Sequence, residues 1–484
     1  MKAAEKPNVI LVLADDLGYG DISGLNPDSK IFTPNIDRMC KNGIVFTDAH
    51  ATSSLSTPSR YSILTGRYSW RTSLKEGVLN GYSGAMIAPD RGTMAKMFHE
   101  AGYATACIGK WHLGWEWSRN ETDADDVDFS KPIANGPTER GFDYFYGIPA
   151  SLDIAPYIYV ENNRVTALPD HTIAPGKGLR LMHGGIAGAD FDAEKCFPNI
   201  IERSIRYING QKSADKPFFL YLPITAPHTP ILPTAEFKGA TKIGVYGDFV
   251  VMIDDMMGQL FKALKNNKMS DNTIVIFASD NGCAPYIEVK ELERKGHFPS
   301  YIYRGYKSDI YEGGHRVPLI ISWGSRYSKI VDGSLVSLSD LYATFARMTG
   351  YHLADNEAED SYSLWPVLTR EGKSDRRELI SLSGNGILAI RTPELKLIFG
   401  AGSGGWSYPR TAADMAGLPP MQLYNIAKDP SEKNNVIASP EYAGQVETMT
   451  ALMRKCIEDG RSTPGVKQHN DTADNWTQTE LFMQ

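Results

Sequence analysis

The chain has 484 residues, 42% hydrophobic and 22% charged, a globular composition with length for two or three domains, or one large and one small. Its 57 acidic and 50 basic residues give a formal net charge of −7, and no Lys/Arg-rich run could track phosphates, which argues against nucleic acid as the main partner. No apolar run reaches the ~18 residues of a membrane-crossing helix, so no membrane span is expected.

In chain order, "MKAAEKPNVI" (1–10) is too short and polar for a signal peptide and reads as a mature start. "NVILVLADD" (8–16) is a buried strand ending in two acids, and "IVFTDAHAT" (44–52) is a second strand. "PSRYSILTGR" (58–67) predicts a helix with Pro58 at its first position and Gly66 near its end. "TMAKMFHEAGY" (93–103) is an amphipathic helix closed by Gly102, followed by the strand "ATACIGK" (104–110). Residues 115–200 lack periodicity and are rich in Gly, Pro, Asp and Asn, which predicts long loops over the sheet edge, a place for substrate selectivity. "PFFLYLPITAPH" (217–228), "NTIVIFASDNG" (272–282) and "VPLIISW" (317–323) are further buried strands, with a helix at 247–267.

After the polar stretch near 375, "LISLSGNGILAIRTPELKLIFG" predicts antiparallel strands, and 440–459 a closing helix. The expected fold is α/β: a large mixed, mostly parallel sheet sandwiched by helices over 1–374, plus a smaller C-terminal α+β subdomain with an antiparallel sheet over 375–484. Cys40, Cys107, Cys196, Cys283 and Cys456 are odd in number and scattered, with no CxxC pair, so no disulfide framework is expected.

Ligands of open α/β sheets bind outside the carboxyl ends of the strands. There the sequence delivers Asp15 and Asp16, Lys110 with His112 in "GKWHLG", His228 in "APHTP", and Asp280 with Asn281. Asp15, Asp16, Asp280 and Asn281 offer only oxygen ligands, which suits Ca²⁺ or Mg²⁺ better than Zn²⁺. Lys110, His112 and His228 would add positive charge and proton transfer beside such a cation, which implies an anionic substrate group such as sulfate or phosphate. Ser56, at a helix N-terminus, is either a nucleophile candidate or a cap.

"Ser56-Thr57-Pro58-Ser59-Arg60 … Leu64-Thr65-Gly66-Arg67" resembles the type I sulfatase signature (C/S)-x-P-S-R-x-x-x-L-T-G-R, in the alkaline-phosphatase superfamily. "LADDLGYGD", "GKWHLG", "APHTP", "ASDNG", "RGYKSDIYEGGHRVP" and "LYNIAKDPSEKNNV" resemble the family's other blocks, in order, and the matches span residues 8–436. The serine form resembles the bacterial branch in which an anaerobic radical maturase oxidises that residue to Cα-formylglycine.

The resemblance implies that Asp15, Asp16, Asp280, Asn281 and the formylglycine at Ser56 coordinate one Ca²⁺, with Arg60 holding the aldehyde hydrate. One hydrate oxygen would attack sulfur, and the other, deprotonated with help from His112, would collapse and eject sulfate. A plain serine ester has no second hydroxyl and would stall. Lys110, His228 and Lys307 would contact sulfate oxygens, with His228 protonating the leaving alcohol.

Trp115, Trp117, Asp153, Tyr157, His171, His183 and His297 are candidates for sugar contacts. Aromatic and short polar side chains suit a pyranose, so the expected substrate is a sulfated saccharide, galactose or N-acetylhexosamine, attacked in exo fashion. The alternatives are a phosphate-monoester or phosphonate hydrolase of the same superfamily, or a non-catalytic glycan binder if Ser56 is unmatured. A polymeric substrate and calcium dependence suit a periplasmic or cell-surface enzyme.

Overall fold

A computed structural model describes residues 6–120 and 126–483. In chain order the main-sheet strands are β1 (Asn8–Ala14), β2 (Gly43–His50), β3 (Ala104–Lys110), β4 (Tyr144–Ile148) and the two-residue β5 (Val160–Glu161) and β6 (Arg164–Val165). A ribbon of β7 (Pro169–Ile173) and β8 (Gly185–Gly188) stands apart from them. The main sheet resumes with β9 (Phe218–Pro223), β10 (Thr273–Ser279), β11 (Leu319–Trp323) and β12 (Ile330–Ser337).

The ten strands lie in the order β12-β2-β11-β10-β1-β9-β3-β4-β5-β6. The central pairs β10–β1, β1–β9, β9–β3 and β3–β4 are parallel, while β11 runs antiparallel to both its neighbours. The mixed, mostly parallel sheet expected from the sequence is present.

β1 shows why this segment is central. Its side chains alternate between two cores, as the period of two requires. Ile10, Val12 and Ala14 join α1 (Pro34–Lys41), α4 (Ala193–Gly210) and α5 (Val245–Asn266) on one face. Val9, Leu11 and Leu13 join α2 (Ser56–Thr65), α3 (Met94–Glu100) and the helix Asp340–Thr349 on the other. Burial on both faces explains a continuous apolar run, each such side chain stabilising by about 1.5–3 kcal/mol.

The stretch 115–200 holds more regular structure than loops alone: β4 to β8 and the first residues of α4 fall within it. Two-residue strands carry no period to read, and Pro198 inside α4 disguises a helix. The five cysteines are buried and free.

Strands β13 (Leu379–Leu382), β14 (Leu388–Arg391), β15 (Leu395–Ile398) and β16 (Gln422–Asn425) form an antiparallel sheet, with the helix Ala443–Glu458 burying Met449, Met453 and Ile457 against it. A buried ionic cluster joins this sheet to the main one. Lys396 Nζ lies 3.2 Å from Glu312 Oε1 and 2.9 Å from Glu432 Oε1. The Glu312 backbone N–H donates to Glu432 Oε2 at 2.6 Å, and Arg391 pairs with Asp48 at 2.9 Å. His50, Glu312 and His315 also gather here, but Lys396 and Arg391 already supply the balancing positive charge.

Candidate active site

The main-sheet strands end in polar residues that meet at one place. α2 begins at Ser56, two residues earlier than the position of Pro58 suggests, with extended Leu55 as its N-cap. Pro58 is therefore its third residue, where its missing N–H leaves no intrahelical bond unmade. Gly66 closes the helix at φ +63°, and a Cβ there would lie 2.8 Å from the Ala358 Cα.

One helical turn carries Ser56 and Arg60 to the same face. Arg60 Nε donates to Ser56 Oγ at 2.7 Å, and its Nη2 donates to Asp280 at 2.8 Å and Asp15 at 3.3 Å. His112 Nδ1 lies 3.2 Å from Ser56 Oγ, while its Nε2 lies 2.8 Å from the Leu79 carbonyl. A carbonyl only accepts, so the hydrogen-bond pattern assigns the proton to Nε2 and leaves Nδ1 as an acceptor facing Ser56. Burial pushes the His112 ring well below its ordinary pKa, and Lys110 and Arg60 add to the effect, which favours the neutral ring.

Lys110 Nζ spans both Asp15 oxygens at 2.9 and 2.8 Å and donates to Ser151 at 3.2 Å. Burial disfavours charge on Asp15, yet Lys110, His228 and Arg60 hold its carboxyl below the usual range. Lys307 Nζ donates to Asp16 at 2.7 Å, and against burial that carboxylate raises its pKa. His228 donates from Nδ1 to the Thr229 carbonyl at 2.6 Å, so Nε2, 3.2 Å from Ser151 Oγ and 3.5 Å from Asp16, is the atom free to exchange a proton. Asp16 and His112 hold φ of +65° and +57°, strained for side-chain-bearing residues and typical of functional sites.

Ligand atoms of Asp15, Asp16 and His228 lie within 4.8 Å of one another. Asn281 spends its Nδ2 on Asp16 Oδ1 at 2.8 Å and on the Gly282 carbonyl at 2.9 Å, while its Oδ1 is buried without a hydrogen-bond partner. A buried, unsatisfied carbonyl beside three carboxylates is the donor set of a hard cation, and these residues fit Ca²⁺.

Asp15, Asp16, Ser56, Arg60, Lys110, His112, His228, Asp280, Asn281 and Lys307 therefore form one contiguous network. Five of them, Ser56, Lys110, His112, His228 and Lys307, line a cavity of about 420 Å³. Asp153 and His183 also line it, 3.5 Å apart. Tyr157 stands behind that wall: its hydroxyl donates to the Asp153 carbonyl at 2.9 Å and accepts from the Gly184 N–H at 3.1 Å.

The other sugar-contact candidates lie elsewhere, and the expectation for them is corrected. Trp115 and Trp117 pack edge to face, 5.3 Å apart, in the core beneath β3 and β4. His297 is fully buried, bonded to Asp21 at 2.7 Å and accepting from the Lys30 N–H at 3.2 Å. His171 is an exposed β7 side chain paired with Asp170.

Sequence reasoning passed over Ser151, Tyr286, Asn385 and Trp406, all in the cavity wall. Ser151 follows β4, so the strand-end rule finds it once that short strand is recognised. The other three have no local signal.

Comparison with known proteins shows the family. The family model described as Sulfatase matches residues 7–351. An N-acetylgalactosamine-6-O-sulfatase of Bacteroides thetaiotaomicron is 34% identical over 90% of each chain, and human arylsulfatase A is 31% identical over 93% of this chain and 88% of its own. A solved structure from work on the metabolism of multiple glycosaminoglycans by Bacteroides thetaiotaomicron superposes with a TM-score of 0.83 at 32% identity, covering 93% of this chain and 99% of the other. The chain belongs to the sulfatase family and is a sulfuric ester hydrolase.

Proposed function

We propose that the protein is an exo-acting carbohydrate O-sulfatase that removes sulfate from a terminal galactose or N-acetylhexosamine, with N-acetylgalactosamine 6-sulfate the leading substrate. What carries this reading is the contiguous ten-residue network at the floor of a cavity whose wall holds Asp153 and His183. The activity named for the 34%-identical relative supports the choice of sugar.

Ser56 is the residue a maturase would oxidise to formylglycine, whose hydrate supplies a nucleophile with a second hydroxyl for releasing sulfate. Asp15, Asp16, Asp280 and Asn281 would hold Ca²⁺, which supplies positive charge to the reacting anion. The remaining steps belong to the chain. Arg60 fixes the oxygen at position 56 through its Nε, at 2.7 Å. His112 Nδ1 is held ready to take a proton there, because the Leu79 carbonyl occupies the opposite nitrogen. Lys110 and Lys307, both buried side chains in the cavity lining, bind sulfate oxygens. His228 Nε2 gives a proton to the departing sugar oxygen, which is too basic to leave well as an alkoxide.

Sulfated sugar polymers as substrates suit an enzyme of the periplasm or the cell surface. The test is sulfate release from a panel of sulfated mono- and disaccharides, with a Ser56→Cys variant made in a host that oxidises cysteine at this signature. Release from one saccharide, abolished by chelation and restored by Ca²⁺, is the expected result. An aldehyde in place by mass spectrometry with turnover of phosphonates alone would overturn it.

A further inference from the structure

The catalytic cavity has two aromatic rings in its wall, Tyr286 and Trp406. Trp406 lies between β15 and β16 in the C-terminal sheet's connections, far in sequence from every residue of the catalytic network. It is 38% exposed, and its ring meets Tyr286 at 5.8 Å and 48°, so the contact is a tilted one that leaves much of the indole uncovered. A large apolar ring exposed at a cavity wall is where a ligand with an apolar face would be covered.

The segment carrying Trp406 is pinned. The backbone N–H groups of Trp406 and Ser407 both donate to Asp309 Oδ1 at 3.0 Å, and the Ser407 hydroxyl donates to Asp309 Oδ2. The Ile310 N–H donates to the Ser403 carbonyl at 2.7 Å. A neighbouring turn grips the same strand of chain: the Gly384 N–H donates to the Ser308 carbonyl at 2.8 Å, and the Asn385 N–H to the Gly404 carbonyl at 2.8 Å. Gly405 passes so close that a Cβ would lie 2.4 Å from the Ser308 carbonyl carbon. These bonds seize residues 308–310, immediately after Lys307. Lys307 is tied to the floor through Asp16 at 2.7 Å and approaches the Tyr286 hydroxyl at 3.4 Å.

We infer that Trp406 is a specificity-determining residue: the platform on which the C–H face of the substrate's pyranose ring stacks, held at a fixed distance from the sulfate-binding Lys307 by the Asp309 clamp. The inference rests on the glycan reading above. Its physical content is a matched pair. The sulfate is placed by Lys110 and Lys307 and the sugar face by the indole. Only Ser308 separates Lys307 from Asp309, the residue that clamps the Trp406 segment, so little chain lies between the two sites and their spacing is rigid. A rigid spacing selects which ring carbon carries the sulfate. Galacto-configured sugars suit such a platform, since C3, C4 and C5 present their C–H bonds on one face.

The test uses full-length, matured enzyme and the saccharide that wild type desulfates best. Trp406→Ala is expected to raise KM about tenfold, the scale of one aromatic stacking contact, with kcat little changed. Trp406→Phe is expected to recover most of that loss, and Trp406→Leu, which keeps apolar bulk without a flat face, much less. Competitive inhibition by inorganic sulfate probes the Lys110 and Lys307 end alone and is expected to be unchanged in all three variants.

An unaltered KM in Trp406→Ala would overturn the inference. So would an equal weakening of saccharide and inorganic sulfate, which marks a merely structural role for the ring. If Trp406→Ala does not fold, the contrast between the Phe and Leu variants decides the matter by the same readings. Wild-type enzyme that bears the aldehyde yet desulfates no saccharide would fail at the earlier step, the glycan reading itself, and that result is distinct from a wild type that works with a tryptophan that does not matter.

Discussion

The floor of the cavity and its mouth are built by different means. Most groups of the floor sit at or near a strand or helix end: Asp15 and Asp16 after β1, Lys110 closing β3, Asp280 after β10, Ser56 opening α2, with Lys307, in the loop between Arg294 and Glu312, the exception. The mouth is assembled from distant stretches, Asp153 and His183 around the short β-ribbons, Tyr286 after β10, and Asn385 and Trp406 from the C-terminal sheet. The floor is placed by a rigid parallel sheet and suits one invariant chemistry. The mouth is placed by turns and long-range hydrogen bonds and suits variation in what the substrate carries beyond its sulfate.

The largest way to break this contrast is at the floor. Ser56→Ala, produced in a maturing host, should lower sulfate release by about 10⁴-fold or more while the melting temperature holds; measurable turnover would show that position 56 is not the reacting centre. His228→Ala should cost about 10²–10⁴-fold on a sugar sulfate and far less on an aryl sulfate, whose leaving group needs no proton. Equal losses on both, measured as kcat, would remove His228 from the role of acid.

A third effect concerns the joint between the sheets. Burial, opposed by Lys396 and assisted by Glu312, pushes the Glu432 carboxyl from 4.5 up to about 7. The folded chain holds that proton more tightly than the unfolded chain. This contribution to stability is therefore present below about 4.5 and lost as pH rises through about 7. Glu432→Gln removes the titration, so its stability relative to wild type should rise by on the order of 2–3 kcal/mol between pH 4.5 and 7.5 in urea unfolding. A difference that stays flat with pH would contradict the raised carboxyl. The smallest effect is the sharpest on the mouth: His171→Ala, an exposed side chain outside the cavity, should leave KM and kcat unchanged for the best saccharide.

The sequence was legible where chemistry and secondary structure coincide. Apolar runs covered on both faces, as in β1 and β10, announce buried strands, and the polar residues just after them announce a site. Strand direction was less legible: "VPLIISW" reads as a buried strand, but nothing local tells that β11 lies antiparallel between β10 and β2. The sugar-contact candidates drew on residue type and proximity in sequence. Trp115 went to the core because an indole among aromatic neighbours is worth more buried than exposed, and His297 because Asp21 waits for it at 2.7 Å. Trp406 could not be found this way, since its place depends on Asp309, 97 positions away.

The ionic cluster between the two sheets has a consequence for inheritance. Glu312 belongs to the EGG-x-R-V-P block and Glu432 to the D-P-x-E block, and the two share Lys396 from β15. A recombinant that joins this main sheet to a relative's C-terminal sheet places Glu312 before a foreign set of cations. A buried carboxylate left without its partner costs about 3–5 kcal/mol. Halves drawn from different lineages should therefore combine only when they carry the same ionic complement, so the two blocks pass together through recombination although more than a hundred residues of chain lie between them.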